Sequence, residues 1–190
     1  MAVNYNNIGT VLRNKGEYDK ALDFLQKSLD IKFKTLGDQH PSLANSICSI
    51  GLTWSKKGEF EMALEFHQKG LDIRLNTLGK HHPDVAKSYN RIGNCLKELK
   101  FYQEAIQSFK LSFEIQKEAG YLFQIGKCYE TLSENLNAIE YYIQSAEIRK
   151  NDPDFGIEAD STQESIKACI RLAKELGKES ELPEWMVEVC

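Results

Sequence analysis

The stretches "GDQHPSLANSICSIG", from Gly37 to Gly51, and "GKHHPDVAKSYNRIG", from Gly79 to Gly93, spell nearly the same thing 42 positions apart. The same interval separates Gly9, Gly51 and Gly93, then Ala21, Ala63 and Ala105, and then Ile31, Ile73 and Ile115. Tyr18, Phe60 and Tyr102 keep it too. A fourth copy follows at a shorter step, with Gly126, Ala138 and Ile148 each 33 residues past their counterparts. Self-similarity at a fixed period of roughly 20–50 residues is the mark of a solenoid built from repeated units. The fourth copy lacks the "LGxxHP" connector, so its lead-in turn is expected to be tighter.

Each copy carries two apolar stripes at helical spacing. In the second copy the first stripe is Ile47, Ile50, Gly51 and Trp54. The second is Phe60, Ala63, Leu64, His67, Leu71 and Ile73. Between them "KKGEF" supplies Gly58 as a helix stop, as "NKGEY" supplies Gly16 in the first copy. The third copy reads "ELKFY" without a glycine, so its turn is expected to close differently. Glycine inside a helix costs about 1 kcal/mol relative to alanine. Its recurrence at one site predicts close helix approach, with Gly9, Gly51, Gly93 and Gly126 seated against Ala21, Ala63, Ala105 and Ala138. Each copy is then a helical hairpin that needs its neighbour to finish burying its apolar faces. Proline is tolerated at a first helical position. Pro41 and Pro83 are therefore expected to open helices, with His40 and His82 at the caps.

Composition supports long helices: only four prolines occur, and Lys, Glu, Leu, Ile and Ala are abundant. The net charge of −4 disfavours a nucleic-acid partner, which needs a basic surface. No apolar run approaches the ~18 residues of a membrane span, and "MAVNYNNIG" has no signal-peptide core. Cys48, Cys95, Cys128, Cys169 and Cys190 are odd in number and widely spaced, which predicts reduced core thiols in a cytoplasmic protein. The adjacent His81 and His82 read as connector residues, and no metal or cofactor is expected.

After the fourth copy, "NDPDFGIEADS" reads as a loop. "STQESIKACIRLAKELGK" then reads as an amphipathic helix capped by Ser161 or Thr162, ended by Gly177, with Ile166, Cys169, Ile170, Leu172, Ala173 and Leu176 on its apolar side. The tail "LPEWMVEVC" reads as a helical turn started by Pro183. The expected organisation is all-α. Hairpins fall at about residues 2–39, 40–81, 82–118 and 119–150, a loop at 151–160, and a capping helix with its tail at 161–190.

These positions resemble the tetratricopeptide repeat. Its pattern is matched by Tyr5, Ile8, Gly9, Leu12, Ala21, Leu25 and Ser28, by Tyr89, Ile92, Gly93, Leu96, Ala105, Phe109 and Ser112, and by Leu122, Ile125, Gly126, Tyr129, Ala138, Tyr142 and Ser145. The second copy departs from it at His67 and Gly70. The 42-residue period with "LGxxHPxxA" connectors resembles the subtype of kinesin light chains, over about residues 2–150. The resemblance implies a right-handed superhelical α-solenoid of about four hairpins plus a C-terminal capping helix. It also implies a non-catalytic interaction scaffold. The first copy lacks the "HPxxA" lead-in of its neighbours, as a fragment of a longer array would.

In this architecture the first helix of each hairpin lines an inner, concave face. The expected peptide groove takes Asn6, Asn7, Thr10 and Arg13 from the first copy and Asn45, Ser49, Leu52 and Lys56 from the second. Lys87, Asn90, Arg91, Asn94 and Lys97 come from the third, and Phe123 and Lys127 from the fourth. Asparagine donates and accepts, so it can pair with a peptide backbone. Lysine and arginine favour a carboxylate-bearing ligand. An acidic segment is thus the expected partner, with Leu52 and Phe123 offering apolar contact. The family's carboxylate clamp for a chaperone tail is matched at Lys87 and Arg91 but not at Asn6, Thr10 and Ser49. An internal acidic stretch fits better. The acidic tail around Trp185 reads either as packing on the capping helix or as such a ligand itself. The alternative function is a spacer or self-association module acting through the convex face or the array ends.

Overall fold

The computed structural model describes residues 1–152 and 160–187, and among these no strand occurs. Most of the expected loop, residues 153–159, and the tail from Glu188 to Cys190 lie outside the described residues. The chain divides into two compact units, Met1–Gln116 and Lys117–Cys190. The first unit holds three of the expected hairpins, and the second holds the fourth and the capping helix.

In the first unit the hairpins are α1 (Ala2–Asn14) with α2 (Tyr18–Leu36), α3 (Pro41–Lys57) with α4 (Phe60–Leu78), and α5 (Pro83–Glu98) with α6 (Tyr102–Ile115). The repeated His-Pro is a cap. Pro41 and Pro83 take the first helical position, where no N–H is missed. His40 Nδ1 accepts from the Ser42 N–H at 3.2 Å, and His82 Nδ1 from the Asp84 N–H at 3.1 Å. One otherwise orphaned donor per helix is satisfied this way.

The third hairpin corrects an expectation. Its turn closes as the others do, although it has no glycine. Gly16, Gly58 and Lys100 all take the left-handed conformation, with φ of 83°, 91° and 66°. The same backbone bond follows in each: Glu17 N–H to Leu12 O, Glu59 N–H to Trp54 O and Phe101 N–H to Leu96 O. Lysine accepts the modest steric cost of that region because the bond closes the helix end.

The glycine seams also differ from expectation. A Cβ on Gly9, Gly51 or Gly93 would strike the side chain of Leu25, His67 or Phe109 at 2.6–2.8 Å, not an alanine methyl. Each glycine therefore makes room for the large residue sixteen positions on. Ala21, Ala63 and Ala105 are fully buried, and the Ala21 carbonyl lies 3.1 Å from the Gly9 Cβ position. Small residues do a second job. The Ser28 hydroxyl donates to the Ala2 carbonyl, and Ser112 to Ala86, each at 2.8 Å, pinning second helix to first. The middle hairpin has Gly70 there, because the Cys48 thiol lies 2.7 Å from where a Cβ would stand.

Within the first unit, successive hairpins are joined by a basic side chain near the end of α2 and of α4. Lys32 Nζ donates to Ser46 Oγ at 2.7 Å. Arg74, 4% exposed, does more: its guanidinium donates to Ser88 Oγ at 2.7 Å, the Asp84 carbonyl at 2.9 Å and Asn45 Oδ1 at 2.9 Å. A buried cation must be satisfied this way or its desolvation dominates.

The second unit is α7 (Ala119–Thr131), α8 (Asn135–Lys150), α9 (Asp160–Glu175), a 3₁₀ turn at Glu179–Glu181 and α10 (Glu184–Val187). Ser133 closes its hairpin turn at φ 60°, and Gly126 faces Tyr142. Ser145 repeats the pin, donating to the Ala119 carbonyl at 3.0 Å. Arg149 repeats the joining contact, donating to Ser165 Oγ at 3.0 Å and to the Ser161 carbonyl. The expected caps Ser161 and Thr162 lie inside α9, which begins at Asp160, so neither is its cap. Phe123, Tyr142, Ile166, Cys169, Leu172 and Met186 form the core, with Trp185 packed against it. Lys150 Nζ stands 4.3 Å from the Trp185 ring centre. The tail thus covers the end of the capping helix, and Trp185 is a core-edge residue.

Candidate functional site

Side chains on α1, α3 and α5 form the first unit's candidate face. Asn7, Asn45, Lys56 and Lys87 are exposed there. Asn6, Thr10, Arg13, Ser49, Leu52, Asn90, Arg91, Asn94 and Lys97 are half-buried. Many of their polar groups already have partners. Thr10 donates to the Asn6 carbonyl and Ser49 to the Asn45 carbonyl, both at 2.9 Å. The Asn94 amide donates to the Asn90 carbonyl at 2.9 Å, and Asn45 Oδ1 is held by Arg74. Lys87 pairs with Asp84 at 3.2 Å. Asn45 thus helps hold helices together, and Asn94 is turned back on its own helix, roles that the spacing alone did not reveal.

The arginines stand apart. Among the described residues neither Arg13 nor Arg91 makes an ion pair. Burial, and next the positive charge of Arg91, hold the Arg13 guanidinium below its usual range. The charge of Arg91 on α5 is thus felt at Arg13 on α1.

A cavity of about 260 Å³ opens between α3 and α5, lined by Leu52, Ser55, Lys56, Phe60, Asn94, Cys95 and Glu98. Its walls join an apolar floor to charged and amide rims, the usual make-up of a side-chain pocket. Phe60 comes from the start of α4, one turn after the Gly58 stop, and was legible only as core stripe.

His67 lies under Gly51, 1% exposed, with neither ring nitrogen hydrogen-bonded. Burial first, then the charges of Arg91 and Arg74, pull its pKa down to about 3. It is a neutral ring in a place where the third hairpin has Phe109.

In the second unit the expected groove residues serve the fold instead. Phe123 is 5% exposed in the core, against Tyr142 at 5.4 Å between ring centres. Lys127 Nζ covers its ring at 4.6 Å and pairs with Glu164 of α9 at 3.4 Å. Glu130 pairs with Arg171 at 2.6 Å and accepts the Tyr142 hydroxyl at 2.7 Å. Burial opposes the Glu130 charge, but these two donors hold its carboxyl below the usual range. The capping helix thus brings its own charges to α7; Phe123 is buried rather than offered to a ligand, while Lys127 stays exposed beside Glu164.

Among the described residues no three or more His, Cys, Asp or Glu side chains gather as metal ligands would, and no helix is long and apolar enough to cross a membrane. Cys48, Cys95, Cys128 and Cys169 are buried, and among the described residues none of them is in a disulfide.

Models of the tetratricopeptide repeat match residues 1–76, 55–118 and 119–152. No curated protein matches in sequence. Among solved structures, the Podosopora anserina putative kinesin light chain with nearly identical TPR-like repeats superposes with a TM-score of 0.78 at 19% identity, over 97% of this chain and 90% of that one. BtubC (BKLC) from P. vanneervenii gives 0.80 at 16% identity, over 90% and 71%. MamA gives 0.70 at 20% identity, over 95% and 85%. The glycine seams, the serine pins and the matched models agree: the chain belongs to the tetratricopeptide repeat family, and its fold is like that of the putative kinesin light chain's repeats.

Proposed function

We propose that the chain is a non-catalytic protein-interaction module, acting in the cytoplasm, whose first unit grips an acidic peptide segment on the α1, α3 and α5 face. The observation that supports this reading is that Arg13 and Arg91, both on that face, make no ion pair among the described residues, while the charge of Arg91 adds to burial in holding the Arg13 guanidinium below its usual range. A carboxylate placed between two guanidiniums relieves their repulsion and takes forked hydrogen bonds from each. Lys56 and Lys97 lie on the same face and extend the positive field. The cavity beside Leu52 and Phe60 gives an apolar anchor its place.

Fluorescence anisotropy with a labelled peptide of glutamates around one leucine tests this. Charge-assisted contacts contribute about 1.5–3 kcal/mol each, so Arg91→Glu should weaken binding by about ten-fold or more. Added salt should weaken the wild-type complex. Equal affinity for both proteins rejects the reading.

One observation favours a second reading, self-association through the end of the array. Ile8 and Val11 on α1 are 42% and 54% exposed, while Ile50 and Ile92, at the position of Ile8, are 2% and 6% exposed. The face is built like an interior. A dimer seen by light scattering that Ile8→Lys dissolves, and Arg91→Glu does not, would favour it.

A further inference from the structure

The four hairpins repeat an aromatic position on their second helices, and one copy omits it. Phe24, Phe66 and Tyr141 occupy it in the first, second and fourth, and the third has Ser108. The facing position on the first helices holds Leu12, Trp54, Leu96 and Tyr129. In the fourth hairpin Tyr129 and Tyr141 stack with ring centres 5.5 Å apart. Lysines lie over the Phe24 and Phe66 rings at 5.2 and 5.3 Å. The third hairpin has no ring at either position.

The consequence is a cleft of about 770 Å³ between α4 and α6. Leu64, Ile92 and Leu96 form its apolar floor, and Glu65, Glu104 and Gln107 lie on its rim. Ser108 does not reach into it for a partner, because its hydroxyl donates to the Glu104 carbonyl at 3.0 Å. Lys69 also lines the cleft and stands 3.9 Å from Glu65, which leaves Glu104 as the acid that makes no ion pair among the described residues.

We propose that this cleft is a second docking site, which takes an aromatic side chain from a protein partner with a lysine or arginine beside it. The incoming ring restores the layer that the neighbouring hairpins complete for themselves. The adjoining cation meets Glu104 and copies the lysine-over-ring arrangement at Phe24 and Phe66. Aromatic side chains carry the largest apolar contact area of any anchor, and such anchors concentrate binding energy in a pocket.

The test uses the full chain and methyl NMR signals of Leu64, Ile92 and Leu96. The probes are a helical peptide with one tryptophan flanked by lysines, its Trp→Ala version, and free indole. The tryptophan peptide should shift all three signals and bind about ten-fold tighter than the alanine version. Ser108→Phe fills the cleft from within and should abolish those shifts. Glu104→Lys leaves the cleft open and should weaken the lysine-flanked peptide, which keeps the test decisive if Ser108→Phe does not fold. Arg91→Glu should change none of these values. Equal binding of the two peptides, unweakened binding by a folded Ser108→Phe or by Glu104→Lys, or indole binding as tightly as the peptide, would overturn the proposal.

Discussion

Acidification from pH 7 to pH 4 should remove about 3 kcal/mol of stability through His67 alone, and His67→Phe should abolish that share. The ring is 1% exposed and its pKa in the folded chain is about 3, against an unfolded value of 6.5. Between those values the unfolded chain binds a proton that the native state refuses. Stability therefore falls as pH drops from 6.5 towards 3, by about 1.4 kcal/mol for each pH unit. The cause is burial first, then Arg91 and Arg74, whose charges oppose a third positive charge beside them. A second cost is present at every pH, because both ring nitrogens are buried without a hydrogen bond. An unsatisfied buried polar group costs about 1–3 kcal/mol. Phenylalanine carries neither cost, and the fold already seats Phe109 against Gly93 as it seats His67 against Gly51. His67→Phe should thus be more stable by about 1–2 kcal/mol at pH 7, with the gap widening to roughly 4–5 kcal/mol at pH 4. Urea titrations of both proteins across that range check it. Curves that stay parallel would mean His67 can take its proton in the folded state.

The sequence carried whatever repeats locally. The 42-residue interval, the His-Pro caps and the Gly16 and Gly58 stops each depend on a few adjacent residues, and each stands where the spacing put it. Lys100 and Ser133 were illegible as left-handed residues, because nothing in their chemistry asks for that conformation. The helix-closing bond to Leu96 or Tyr129 imposes it. The candidate face was least legible where distant residues decide a side chain's partners. Lys127 stays exposed but pairs with Glu164, 37 residues on. Asn45 looked free until Arg74, 29 residues on, took its amide oxygen. Helical periodicity says which side of a helix is buried. It does not say which long side chain from another helix will settle on the open side.

Gly93→Ala should destabilise the first unit, against the ordinary rule. In an exposed helix the change would gain about 1 kcal/mol, since alanine loses less backbone entropy. Here the new Cβ would stand 2.8, 2.9 and 3.0 Å from three ring carbons of Phe109. That ring is fully buried, so it cannot swing into water to make room. Overpacking of this kind costs about 1–3 kcal/mol, occasionally more. Contacts under 3 Å to a rigid ring belong at the upper end, so a net loss of about 2 kcal/mol is expected after the helix gain. Gly120→Ala is the control. Nothing lies within 4 Å of its Cβ position, and the exchange should be neutral or mildly stabilising. A double-mutant cycle separates the clash from helix propensity. Phe109→Ala leaves a cavity, and adding Gly93→Ala to it should then gain about 1 kcal/mol, because the ring it would strike is gone and only the helix preference remains. The coupling between the two sites should be about 3 kcal/mol in denaturant unfolding. Additive effects, or a Gly93→Ala protein with a raised midpoint, would show that the glycine does not make room for the ring, and the seam that defines each hairpin would need another cause.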